Sequence, residues 1–153
     1  MHKVLIQVER LRACRLQLNS IIVEYYEKTV AKEGVPPVDM AWELFSDLED
    51  KEGFLLITAR DPLTGIIIGF VTYYVGPHPH HKTVVFATCG TLAVRLSERG
   101  KGIAHQLLDA AEPLLKMHHV KYISHGYRTV YNKEPIFSKH GYKLAEYQFV
   151  KEL

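Results

Sequence analysis

The chain has 153 residues, which suits one domain with a sizeable core, and a formal net charge of +2 with neutral histidines. Apolar residues make up 47% and charged residues 24%, an ordinary globular profile with no strong electrostatic pull toward nucleic acid or membrane. Cys14 and Cys89 stand far apart in no metal-like spacing, as expected of free thiols in a reducing compartment. The N-terminal stretch lacks a long apolar run followed by a small-residue cleavage site. The longest apolar cluster, GIIIGFVTYYV, is too short and too tyrosine-rich to span a bilayer. The expectation is a cytoplasmic protein with no membrane partner.

In chain order, residues 3–8 read as a short strand. Leu11, Cys14, Leu18, Ile21, Ile22 and Tyr25 then recur at helical spacing, predicting a helix to about Lys32. Gly34, Pro36 and Pro37 stop it. Asp39 is the expected cap of a second, acidic helix carrying Ala41, Leu44, Phe45 and Leu48 on one face. From Gly53 the period changes. FLLITAR and IIIGFVTYYV read as strands joined by the turn DPLTG. GPHPHHK interrupts them before a third strand, TVVFATCGTLAV. Gly90 inside that strand marks a bulge or a close backbone approach.

The stretch RLSERGKG leads into a helix with Ile103, Leu107, Leu108, Ala111, Leu114 and Leu115 on one stripe, where Pro113 is expected to kink it or restrict its hydrogen bonding. VKYISHG reads as a further strand, NKEPIFSKHG as a short helix closed by Gly141, and YKLAEYQFVKEL as terminal strand material. The order predicts one mixed α/β (α+β) domain over residues 1–153, with no linker or repeat.

The glycine turn before the long helix needs a reason, because a glycine inside regular structure costs roughly 0.5–1 kcal/mol relative to alanine. A helix N-terminus offers backbone N–H groups and the positive end of its dipole, and glycines let a phosphate approach them. A tight surface turn with solvated charges is the plainer explanation. A Walker A loop is excluded because Lys101 is followed by Gly102, not Ser or Thr. The dinucleotide fingerprint is excluded because His105 stands where its third small residue belongs.

LAVRLSERGKGIAHQLL resembles the acyl-CoA-binding motif of the GNAT superfamily of N-acyltransferases, Arg/Gln-x-x-Gly-x-Gly/Ala, with Arg99, Gly102 and Ala104 at its fixed positions. The order of elements is similar across nearly the whole chain, and SKHGYK resembles the family's helix ending in Gly followed by an aromatic residue. The resemblance implies a mixed central sheet with a bulged strand and flanking helices. It implies acetyl-CoA as co-substrate, its pyrophosphate on Arg99, Gly100, Lys101, Gly102, Ile103 and Ala104. It also implies pantetheine along Leu92, Ala93 and Val94. The reaction would be acyl transfer from a thioester to an amine by direct attack, with no metal.

Two customary family groups are absent. Where many members carry a glutamate on the motif strand, this chain has Gly90. Where many carry a tyrosine four residues before the helix-ending glycine, it has Phe137, counted instead as a cofactor-site residue. His125 is the expected substitute proton acceptor and Tyr131 the expected proton donor, with Tyr127 and Glu134 nearby. Each also has a plainer explanation, a hydrogen-bonded strand-end histidine and an aromatic packed at a helix start. Asn132 is a helix cap or, as the resemblance implies, a pantetheine contact. His78, His80 and His81 have no companion cysteines and no metal is expected there. Cys89 is read as buried filler rather than a nucleophile.

The acceptor is expected to be an amine. Glu43, Asp47, Glu49 and Asp50, with Tyr25, Tyr26 and Trp42 close by in sequence, suggest an acidic, aromatic approach suited to a cationic small molecule or a protein. A solvated helix face is the plainer explanation of the same carboxylates. A CoA-binding or interaction module without turnover is the alternative. Nucleic acid is disfavoured by the weak net charge, and a homodimer is left open.

Overall fold

The change of apolar period along the chain becomes a change from helix to strand in the computed structural model, which describes residues 3–30, 36–127 and 133–153. The elements are β1 (Leu5–Glu9), α1 (Leu11–Tyr25), α2 (Trp42–Asp50), β2 (Phe54–Arg60), β3 (Ile67–His78), β4 (His81–Val94), α3 (Ile103–Met117), β5 (Val120–Ser124) and α4 (Glu134–Lys139). A wider π turn, Tyr26–Val30, extends α1, and a 3-10 turn, Leu96–Glu98, precedes α3. No helix among the described residues is long and apolar enough to cross a membrane.

The strands form one mixed sheet in the order β1-β2-β3-β4-β5. The first four pair antiparallel, and β5 returns parallel to β4 after the α3 crossover. Alternation along the strands sends Leu55, Ile57, Val71, Tyr73 and Ala87 to a core under α3. Phe54, Leu56 and Phe70 go to the opposite face, under Leu11, Leu18 and Ile21 of α1. The sheet therefore divides the molecule into an α3 side and an α1/α2 side.

Gly90 is the extra residue of a β-bulge. Thr72 pairs with Thr91 and Tyr73 with Cys89, so Gly90 has no partner of its own on β3. The insertion reverses the phase of the strand. Ala87 and Cys89 face α3 before it, Leu92 and Val94 face α3 after it, and Gly90 and Thr91 both turn to the α1/α2 side.

Several expected boundaries move. Asp39 does not cap α2, which starts after Ala41 with no side-chain cap. The histidine-rich stretch does not separate two strands by a long loop. β3 runs to His78 and β4 starts at His81, leaving Pro79 and His80 as the turn. α3 continues through Pro113 without a break in its span.

Residues 142–153 form no strand. Their large apolar side chains at 144, 147, 149, 150 and 153 are exposed. Phe149 and Val150 are almost fully exposed.

α1 and α2 are joined by a buried carboxylate. α1 begins without a side-chain cap from its own segment. The Leu11 N–H instead donates to both oxygens of Glu49 on α2, at 3.0 and 3.2 Å, while Arg10 Nε lies 3.3 Å from the same carboxylate. Glu49 is 7% exposed, so an acidic residue that reads as solvated surface is part of the interior.

Candidate functional site

The edge of β4 opens because β5 stops short. β4 and β5 pair only from Val85↔Val120 to Thr88↔Ser124, whereas β3 follows β4 to Val94. Residues 89–94 therefore have no strand partner on the β5 side among the described residues. Unpaired backbone N–H and C=O groups on such an edge can be met by an extended ligand carrying its own amides.

That edge runs directly into the glycine turn. Gly100 and Gly102 have φ of 81° and 79°, a left-handed conformation that costs other L-residues roughly 1–2 kcal/mol. Gly102 is the cap residue of α3 and no side chain caps the helix. The first N–H groups of α3 are thus available to an anion. Arg99 Nε donates to the Val94 carbonyl at 3.2 Å, tying the turn back to β4, and Lys101 Nζ pairs with Glu98 at 2.8 Å. The structure brings Leu92, Ala93, Val94, Arg99, Gly100, Lys101, Gly102, Ile103 and Ala104 into one continuous run from open edge to helix start.

The bulge forms the floor of a pocket on the α1/α2 side. Leu18 and Ile22 of α1, Trp42 and Phe45 of α2, and Tyr74 and Gly90 of the sheet line it, with Thr72 and Thr91 beside Gly90. A Cβ on Gly90 would lie 2.9 Å from Thr72 Oγ1 and 3.2 Å from the Tyr74 ring. Thr72 Oγ1 accepts the Thr91 N–H at 3.0 Å, which holds the bulge. Glycine is required there by packing, and no carboxylate projects from this point of the strand.

Three of the four α2 carboxylates expected to make an acidic approach are held by arginines. Glu43 turns to Arg15 at 3.5 Å, Glu49 is consumed at the start of α1, and Asp50 bonds Arg10 and lies 3.7 Å from Arg12. None of the four α2 carboxylates lines the pocket.

His125 lies on the α3 side, just past the last β5 pair. Its Nε2 is 3.0 Å from the Tyr73 hydroxyl, and its ring meets Phe137 at 5.0 Å and Tyr142 at 5.1 Å. Burial, with a smaller contribution from His140, pushes its pKa down to about 4, so the ring is neutral at physiological pH but weakly basic. Its Nδ1 is buried with no hydrogen-bond partner among the described residues.

Tyr73 is fully buried, and its hydroxyl is satisfied when it donates to Nε2. That arrangement puts the imidazole proton on Nδ1. His125 thus faces away from the pocket, with one nitrogen occupied. The geometry suits a hydrogen-bond donor better than the expected proton acceptor.

Phe137 stacks near Tyr127 at 6.2 Å as well as against His125. Tyr131 and Asn132 lie outside the described residues. Burial pushes the Cys89 thiol up to about 12, which leaves it protonated and a poor nucleophile. Among the described residues, no group of three or more His, Cys, Asp or Glu side chains is arranged to hold a metal ion. His78, His80 and His81 instead cluster as rings near Phe86.

Sequence reasoning missed Tyr73, Thr72 and Tyr74. In a strand whose neighbours are Ile, Phe and Val, their alternation signals core, and only the partner across the sheet reveals a polar role.

A model of the Acetyltransferase (GNAT) family matches residues 15–133. No curated protein matches the sequence. Among solved structures, an acetyltransferase of Trypanosoma brucei superposes with a TM-score of 0.72 at 17% identity, covering 99% of this chain and 100% of that one. An aminoglycoside acetyltransferase from an uncultured soil metagenomic sample, solved with sisomicin, gives 0.71 at 19% identity over 98% and 94%. A predicted acetyltransferase of Clostridium acetobutylicum, solved with acetyl-CoA, gives 0.70 at 15% over 98% and 96%. At these identities the neighbours establish the fold alone.

Proposed function

Because the chain belongs to the GNAT acetyltransferase family, we propose that it transfers the acetyl group of acetyl-CoA to an amine by direct attack. The observation that carries this is the uncapped start of α3, with two left-handed glycines, at the end of an unpaired strand edge. The N–H groups of the turn from Arg99 to Ala104 suit the pyrophosphate, and the edge at Leu92, Ala93 and Val94 suits the amides of pantetheine. The Clostridium neighbour solved with acetyl-CoA supports the choice of donor.

The bound donor supplies an activated carbonyl whose carbon–sulfur bond is exchanged for a carbon–nitrogen bond. The amine loses a proton and the sulfur gains one. Backbone N–H groups on the open edge polarise the carbonyl, and positioning supplies much of the rate. His125 takes the leaving-group side, its Nδ1–H donating to the sulfur as negative charge develops. With no carboxylate at Gly90, the proton of the amine goes to solvent. Tyr131 is the proton source for the sulfur, and Asn132 and Phe137 flank the pantetheine arm. No metal is needed, and both cysteines are free, in keeping with a reducing cytoplasmic setting.

The empty position at Gly90 also favours a second reading, a CoA-binding module without turnover. Thiol release separates the two. Acetyl-CoA with a panel of primary amines should give amine-dependent release above the hydrolytic background. A raised melting temperature with CoA but no release with any amine would favour the module.

A further inference from the structure

Tyr73 lies outside the glycine turn and the open edge, yet its hydroxyl is tied to the fork of the sheet. It is fully buried in the core under α3. A phenol in that setting needs an acceptor, because an unpaired buried hydroxyl costs roughly 1–3 kcal/mol. Among the described residues that acceptor is His125 Nε2, at 3.0 Å. Burial also raises the Tyr73 pKa, so the phenol keeps its proton and donates in this bond.

The bond crosses the sheet where the edge opens. Tyr73 on β3 pairs with Cys89, the first β4 residue beyond the last β4–β5 pair, Thr88↔Ser124. His125 directly follows Ser124, so its ring stands in the fork between β4 and β5. From Val94 down to Cys89 the open edge is roughly 17 Å long. An extended pantetheine arm that starts at the glycine turn can cover that distance.

The other ring nitrogen points to a ligand. Nδ1 is buried and has no hydrogen-bond partner among the described residues. The Tyr73 and Tyr142 rings meet the imidazole at 5.5 and 5.1 Å, nearly perpendicular to it at 87° and 85°. Phe137 covers a further side at 5.0 Å. These contacts hold the plane of the ring, but none of them chooses between its two nitrogens. The hydrogen bond from Tyr73 does.

We infer that Tyr73 is a positioning residue: by donating to Nε2 it keeps the single proton of neutral His125 on Nδ1, the nitrogen left for the leaving sulfur. Without the phenol the proton is free to sit on Nε2, and Nδ1 then turns a lone pair toward a developing thiolate. No proton leaves either ring; the Nδ1–H bond only stabilises charge on sulfur. The inference rests on the proposed acyl transfer for its kinetic consequence, whereas the tautomer is read in the resting protein.

Long-range ¹H–¹⁵N correlation of the histidine rings reads it, with His125→Gln used to assign the signals. At neutral pH the parent should show His125 protonated on Nδ1 and bare on Nε2. Tyr73→Phe keeps the ring and removes only the hydroxyl, and it should move His125 toward the Nε2–H form. Amine-dependent thiol release by that variant should fall at least about tenfold in kcat, with KM for acetyl-CoA nearly unchanged. A Tyr73 that only packs would lower the melting temperature and leave tautomer and kcat alone, which would overturn the inference.

A parent spectrum with the proton on Nε2 would also overturn it, whether or not the variant folds. So would an altered tautomer in Tyr73→Phe with kcat like the parent. The expected tautomers with no thiol release by the parent on any amine would overturn the proposed function, and would support Tyr73 as the group that sets the His125 proton.

Discussion

Gly102→Glu is expected to eliminate the rise in melting temperature that CoA gives the native protein, with at least about a hundredfold loss of affinity by calorimetry. Two effects act together. The cap of α3 has a φ of 79°, which glycine adopts freely and glutamate does not, at a local cost of about 1–2 kcal/mol. The new carboxylate also stands among the N–H groups that would hold a phosphate, putting like charges at close range. Strain by itself lowers stability without excluding the ligand. Gly102→Asn separates the two, because asparagine tolerates the left-handed region and carries no charge. That variant should keep most of the affinity. A folded Gly102→Glu protein that binds CoA like the parent would remove the turn from the donor site.

The second large effect concerns stability. Glu49→Ala should lower the free energy of unfolding by about 2–4 kcal/mol in urea denaturation, because it strands a buried N–H and frees an arginine. Both oxygens of Glu49 accept the Leu11 N–H, and Arg10 lies against them. Glu49→Gln should recover part of the loss, since an amide oxygen still accepts from Leu11. The same carboxylate fixes α2 against the start of α1, and those two helices carry the walls of the pocket. A change below about 0.5 kcal/mol would mean that the clamp is dispensable.

What the sequence conveyed well was local. The glycines at 100 and 102 announce left-handed backbone before a helix, and the switch from helical to strand period after Gly53 announces the sheet. A lone glycine in TVVFATCGTLAV is enough to anticipate the bulge at Gly90. These signals need only neighbours along the chain.

What it did not convey depends on partners far away in sequence. The destination of the α2 carboxylates is set by arginines at and near the start of α1, and Glu49 and Leu11 are 38 positions apart. The setting of His125 depends on Tyr73, 52 positions earlier, which occupies its Nε2, and on a fold that buries the ring. The segment after Gly141 reads as strand material, but it pairs with no other strand among the described residues and no strand forms.

The central claim is that the open edge of β4 and the turn into α3 form one donor site. An amide-resolved NMR titration of the ¹⁵N-labelled protein with CoA tests it most directly. The account predicts the largest shift changes at residues 90–94 and 99–104, with His125 Nδ1–H perturbed when the thiol end is present. Changes confined to other surfaces, with these two segments unmoved at saturating CoA, would contradict it.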